Sequence, residues 1–138
     1  MSKTASYRKQ HEELLSFTKK IAPLLNEGDV KDNAAEIYAL LSELIGRLVV
    51  HLTMEDNVLY PDMMKSSDKG TRDLATKFSA EMGGLRKTIK DFSTTWGVEA
   101  IRRSPVDFCR DCDKVFAALT KRIEAEDALL YHLYDKLP

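Results

Sequence analysis

The sequence is short of every residue type that would announce a specialised class. Two cysteines occur in 138 residues, too few for a disulfide scaffold. Four prolines and six glycines exclude collagen-like or low-complexity chain. No uninterrupted apolar stretch approaches the roughly 20 residues of a membrane span. Neither sign of charge dominates: 21 Lys plus Arg against 22 Asp plus Glu leave a formal net charge of -1. That balance predicts no nucleic-acid partner and no attraction to an anionic membrane. The opening residues, Met1 to Lys9, hold no apolar signal core, so the expected location is cytoplasmic. There is no phosphate-binding glycine loop, nucleophile elbow or Cys/His zinc spacing, and enzymatic activity is not expected.

What is present is ordinary globular material. Apolar residues at 43% and charged residues at 31% argue against disorder and predict one domain, 1–138, with one substantial core. Four segments carry helical periodicity. The first runs from about Thr4 to Asn26, with Tyr7, Leu14, Phe17, Ile21 and Leu25 on one side, and Glu27-Gly28-Asp29 ends it. The second opens at Asn33, with Glu36 as its capping partner. Its inward stripe is Ile37, Leu41, Leu44, Leu48, His51, Leu52, Glu55 and Leu59, and Pro61 is expected to kink or fray its end. The third carries Leu74, Phe78, Met82, Leu85, Ile89, Phe92 and Trp96 and stops at Gly97. The fourth begins with Ser104 as cap and Pro105 at the first helical position. It continues through Val115, Leu119, Ile123, Leu130 and Leu133. Connections this short force neighbours to run antiparallel. The predicted fold is therefore all-α, an antiparallel up-down-up-down four-helix bundle.

The chain also matches itself at an offset of 71 positions. Tyr7 meets Phe78, His11 meets Met82, Leu48 meets Leu119 and His51 meets Arg122. Glu55-Asp56 meets Glu126-Asp127, and Leu59-Tyr60 meets Leu130-Tyr131. Because the inward frame of both helices is kept together, the bundle reads as two duplicated helical hairpins.

Polar groups inside an apolar stripe are the informative ones. His51 and Glu55 are four apart and share a helical face with leucines on both sides. His11 lies on the inward stripe of the first helix, and Arg122 and Glu126 hold the matching places on the fourth. Burying such groups unpaired costs several kcal/mol for an ion, so they need a partner. A metal ion is one candidate, and imidazole-plus-carboxylate ligation suits iron, manganese or zinc.

Tyr7-Arg8-Lys9-Gln10-His11-Glu12-Glu13-Leu14-Leu15 followed by His51-Leu52-Thr53-Met54-Glu55-Asp56-Asn57-Val58-Leu59-Tyr60-Pro61 resembles the hemerythrin-like (HHE cation-binding) family. The resemblance spans nearly the whole chain. It implies a bundle in which a His comes from the first helix, a His-x-x-x-Glu from the second, a His from the third and a His-x-x-x-Glu from the fourth. Together these hold two carboxylate-bridged non-haem irons. It also implies a role in oxygen, nitric oxide, peroxide or iron handling or sensing. Two positions depart from that pattern: Met82 stands for the third-helix histidine and Arg122 for the fourth. A thioether is a soft ligand that suits iron poorly, and a guanidinium cannot ligate. The remaining set is His11, His51, Glu55 and Glu126, enough for one ion and poor for two. The expected cofactor is iron, as a single ion or a loosely held pair. The competing expectation is no metal at all, with Arg122 in the cation's place, bonded to Glu126 and across the core to Glu55.

The last helix, Phe108-Cys109-Arg110-Asp111-Cys112 through Leu119 to Leu129, also looks like that of anti-sigma regulators of the Rsd/AlgQ type. That likeness implies a second function class, a metal-free regulatory module that binds a protein partner, as monomer or homodimer. Cys109 and Cys112 sit in the second and third turns of a helix and are read as core residues, not a redox pair. His132 matches Pro61 and is expected off the inward face. Tyr60 and Tyr131 match each other and are expected mainly to pack, with hydrogen bonding near the site as the alternative.

Overall fold

Pro23 and Asp68 mark two of the helix boundaries. The computed structural model describes residues 2–26 and 28–138; Glu27, part of the first expected helix stop, lies outside them. Helix α1 spans Ala5–Ile21 and passes into one 3₁₀ turn, Ala22–Leu24, around Pro23. The first helix is therefore shorter than its apolar periodicity suggested, because Pro23 cannot donate to the helical ladder. Helix α2 spans Ala34–Met54, α3 Tyr60–Met64, α4 Lys69–Thr95, α5 Val98–Arg103, α6 Pro105–Ala125 and α7 Tyr131–Asp135. The short α5, anchored by the fully buried Ile101, fills a stretch expected to be a loop. Neither Asn33 nor Ser104 makes the side-chain cap expected of it. Asp68 does, accepting from the Thr71 N–H at 2.9 Å at the start of α4.

Between α2 and α3 the chain makes a π-helical turn, Glu55–Leu59, and between α6 and α7 a second one, Glu126–Leu130. The two turns, and the helices on either side of them, are separated by the same 71-residue offset as the sequence repeat. Pro61 follows the first turn, but His132 holds its place after the second, so proline is not the cause. In each, a tyrosine N–H bonds the glutamate carbonyl five residues back, Tyr60 to Glu55 and Tyr131 to Glu126. Such turns collect at functional positions in helices.

The described residues contain no strand, and the fold is an all-α bundle. Helices α1 and α2 run antiparallel, since Tyr7 reaches the Met54 carbonyl while Glu13 pairs with Arg47. α4 and α6 do likewise, with Arg122 on the Phe78 carbonyl and Trp96 donating to Asp111. Leu14, Ile21, Ile37, Leu59, Phe108 and Leu130 are fully buried between them, each contributing roughly 1.5–3 kcal/mol by leaving water. The predicted inward stripe of α2 is buried at every position named above. The helical run Ala34–Met64 is long and apolar enough, by length and composition, to cross a membrane. Its inner side is the core, and its outer side exposes Tyr38, Val49, Val50 and Val58.

Candidate metal centre

Three of the expected ligands converge at mid-height of the bundle. The ligand atoms of His11 on α1, His51 on α2 and Glu126 at the start of the second π turn lie within 4.8 Å of one another. His11 Nε2 is 3.1 Å from His51 Nε2 and 2.9 Å from Glu126 Oε1. Glu55, the fourth expected residue, stands beside the trio, its Oε1 3.4 Å from His51 Nε2. All four side chains are buried.

Hydrogen bonding at the far side of each ring orients both imidazoles. His11 Nδ1 faces Asp127 Oδ1 at 2.9 Å, and His51 Nδ1 faces Gln10 Oε1 at 2.6 Å. Both partners are acceptors, so each Nδ1 donates outward and each Nε2 is the ring atom left to face the centre, where its lone pair is available to an ion. This is the outer-shell arrangement that holds metal-binding histidines. Two ring nitrogens 3.1 Å apart, with a carboxylate beside them, require a cation or a proton between them.

Sequence reasoning ranked packing above hydrogen bonding for Tyr131, and the structure reverses that order. The Tyr131 hydroxyl sits among all four groups: 3.1 Å from His11 Nε2, 3.2 Å from His51 Nε2, 3.4 Å from Glu126 Oε1 and 3.0 Å from Glu55 Oε2. In an α-helix, residues five apart are about 140° apart around the axis, which would turn Tyr131 away from Glu126. The π turn brings residues five apart onto one face. The one legible signal was the recurrence of Glu-Asp-x-x-Leu-Tyr in both hairpins.

The matching place in the second half is filled by Arg122. Its guanidinium donates to the Tyr60 hydroxyl at 2.7 Å, the Phe78 carbonyl at 2.8 Å and Glu126 Oε2 at 3.4 Å, and reaches Glu81 at 3.5 Å. It also lies 4.5 Å from the centre of the Phe78 ring. The expected bond from Arg122 to Glu55 is replaced by the one from Tyr131, because Tyr60 and the Phe78 carbonyl hold the guanidinium on the other side. Met82 is buried in the core. Cys109 and Cys112 are buried as expected, burial pushing the Cys112 thiol up to about 12. His132 is exposed.

The electrostatics split the two glutamates. Burial, then the neighbouring Glu126 charge, pushes the Glu55 carboxyl up to about 10, so without a cation it holds its proton. Burial also works to raise Glu126, but hydrogen bonds from His11, His51 and Glu55 outweigh it and hold that carboxyl well below its usual range. Burial and the two carboxylates raise the Tyr131 hydroxyl.

The donors fit a metal ion. Glu55 Oε1 is buried with no hydrogen-bond partner among the described residues, a group left for something the protein itself does not supply. Donor atoms about 2.1 Å from an ion are about 3 Å apart at right angles, close to the spacings found here. Two imidazoles and two carboxylates suit iron, manganese or zinc.

Helices that aim imidazoles and carboxylates at one buried point define a cation-binding bundle. The chain belongs to the hemerythrin HHE cation binding domain family, whose model matches residues 2–134. No curated protein and no solved structure matches it significantly.

Proposed function

We propose that this protein binds one iron ion through His11, His51, Glu126 and Glu55, and that the bound ion makes it a sensor of oxygen, nitric oxide or iron level. The observation that supports this is the pair of inward Nε2 atoms, each oriented by an acceptor on Nδ1, facing a buried carboxylate. The ion supplies affinity for small diatomic ligands, or reports iron supply by its own occupancy. The chain does the rest. Asp127 and Gln10 fix the tautomers, Glu126 contributes negative charge, and the leucines around the site keep bulk water out. Arg122 supports one ion over two, since its permanent charge stands in the second half of the duplicated site. Reversible oxygen carriage on an iron pair is not part of this reading.

Metal analysis of protein purified from iron-supplemented culture tests it. The expected result is close to one iron per chain. Metal content far below one equivalent, together with failure of the metal-free protein to take up added ferrous or ferric iron, would sink the reading, since a preformed buried site retains its ion.

One observation supports a second reading, a metal-free regulatory module that binds a protein. Arg122 and Tyr131 already provide the centre with a cation and a hydroxyl, and Tyr38, Val49 and Val50 leave an apolar outer face on α2. The same metal analysis separates the two.

A further inference from the structure

Tyr131 occupies the spot where a ligand to the ion would have to sit, and its proton is already directed elsewhere. The hydroxyl has one hydrogen, and the bond to Glu55 Oε2 at 3.0 Å takes it. Its oxygen then faces His11 Nε2 and His51 Nε2 and lies 3.4 Å from Glu126 Oε1, the same atoms that the ion would contact. The ring cannot swing away. Tyr131 is fully buried, stacked on His11 at 5.1 Å and tilted against Tyr7 at 5.6 Å. Tyr60, its counterpart in the first hairpin, is in a different situation, since its hydroxyl accepts from Arg122 at 2.7 Å. The duplicated tyrosines thus have separate tasks, one bonded to a fixed guanidinium and one aimed at the ion.

We infer that Tyr131 is a direct ligand of the bound ion, giving an oxygen-rich set of two imidazoles, two carboxylates and one phenolate that favours the ferric state. Ionised oxygen donors are hard ligands and prefer the harder, more highly charged ion. On binding, the Tyr131 O–H bond breaks and its oxygen bonds iron, the neutral Glu55 carboxyl gives up its own proton to become a carboxylate ligand, and the two protons leave to solvent. No change of oxidation state accompanies the step when iron is supplied as ferric. This inference rests on the single-iron reading proposed above.

The test separates the two. Metal-free protein is loaded with a ferric salt, and bound iron and the visible absorption spectrum are both measured. A phenolate on ferric iron gives an intense visible charge-transfer band that imidazole and carboxylate ligands do not give. The unsubstituted protein should bind one ferric ion and be strongly coloured. Y131F should lose the band, and Y60F should keep it. Iron bound without the band, or a band that survives in Y131F, overturns the Tyr131 assignment and leaves the metal site standing. Failure of the unsubstituted protein to bind iron overturns both. Should Y131F fail to fold, the unsubstituted chain carrying ring-deuterated tyrosine decides the matter by resonance Raman. Isotope-shifted phenolate modes in resonance with the band support the assignment, with Y60F excluding the other tyrosine, and their absence rejects it.

Discussion

The Arg122 guanidinium donates to the Tyr60 hydroxyl at 2.7 Å, while across the pseudo-symmetric centre the Tyr131 hydroxyl lies 3.2 Å from His51 Nε2. Arg122 and His51 are counterparts in the repeat, as are Tyr60 and Tyr131, so each hairpin's tyrosine reaches the other hairpin's polar residue. One crossing serves an imidazole with an open lone pair, and the other a cation that cannot lose its charge. The duplicated frame has kept its geometry and divided its chemistry.

The guanidinium should therefore be structural in the metal-free protein. R122A leaves the Phe78 carbonyl without its donor and removes a charge partner of the buried Glu126. We expect a loss of about 3 kcal/mol in unfolding free energy, the low end of the range for a broken buried pair, because Glu126 keeps His11. Urea unfolding of the metal-free proteins measures it. A loss under about 1 kcal/mol, no more than one ordinary hydrogen bond, would remove Arg122 from this role.

Returning histidine to both departed positions tests whether the second half still has the backbone for a metal. The double variant M82H/R122H should bind two irons per chain, against the one proposed for the natural sequence. Metal analysis reads the outcome, and a stoichiometry that stays at one would show that the second half has lost more than two side chains.

Asp127 orients His11, bonded to its Nδ1 on the side of the ring away from the buried centre. D127A should weaken iron binding by about 10- to 100-fold, the usual effect of removing an outer-shell carboxylate, with little change in the helical circular dichroism. Competition against a chelator of known affinity gives the ratio, and an unchanged affinity would show that the tautomer is held by something else.

The two glutamates predict opposite pH effects on the metal-free protein. Burial and the Glu126 charge raise Glu55 from 4.5 to about 10, so the folded chain keeps a proton that the unfolded chain gives up above 4.5. Stability from this group is full below 4.5 and is lost as pH rises toward 10. Glu126 lies below 4.5 in the fold because hydrogen bonds outweigh its burial, so its contribution is present above 4.5 and is lost as pH falls below it. E55Q should flatten the alkaline decline in unfolding free energy, measured by urea titration at several pH values. A decline as steep in E55Q as in the unsubstituted protein would contradict the assignment.

Much of this was legible from residue order, and the exceptions share a cause. The α2 stripe from Ile37 to Leu59 could be read because a regular helix repeats its faces at a fixed angle, and His51 and Glu55 stood out as polar members of it. Where the ladder changes pitch, that reading fails. At Glu126–Leu130 the turn widens, Tyr131 rotates into the centre, and an α-helical wheel places it off the face. Asp127 and Gln10 escaped notice because an outer-shell partner is defined by which ring nitrogen it meets across the bundle, and no local pattern encodes that.

Apolar periodicity and the internal repeat determined by themselves that this chain is an all-α bundle with polar groups turned inward, and its likeness to the hemerythrin HHE family marked Met82 and Arg122 as departures. Which atoms touch was left to the tertiary structure. It turned both Nε2 atoms to one point, sent Arg122 to Tyr60 instead of Glu55, and put a phenol hydroxyl among the candidate ligand atoms. The physical reason is one of range. Backbone preference and burial of apolar faces act within a few residues, whereas the fit of buried polar groups depends on distances between helices, which exist only once the whole core has closed.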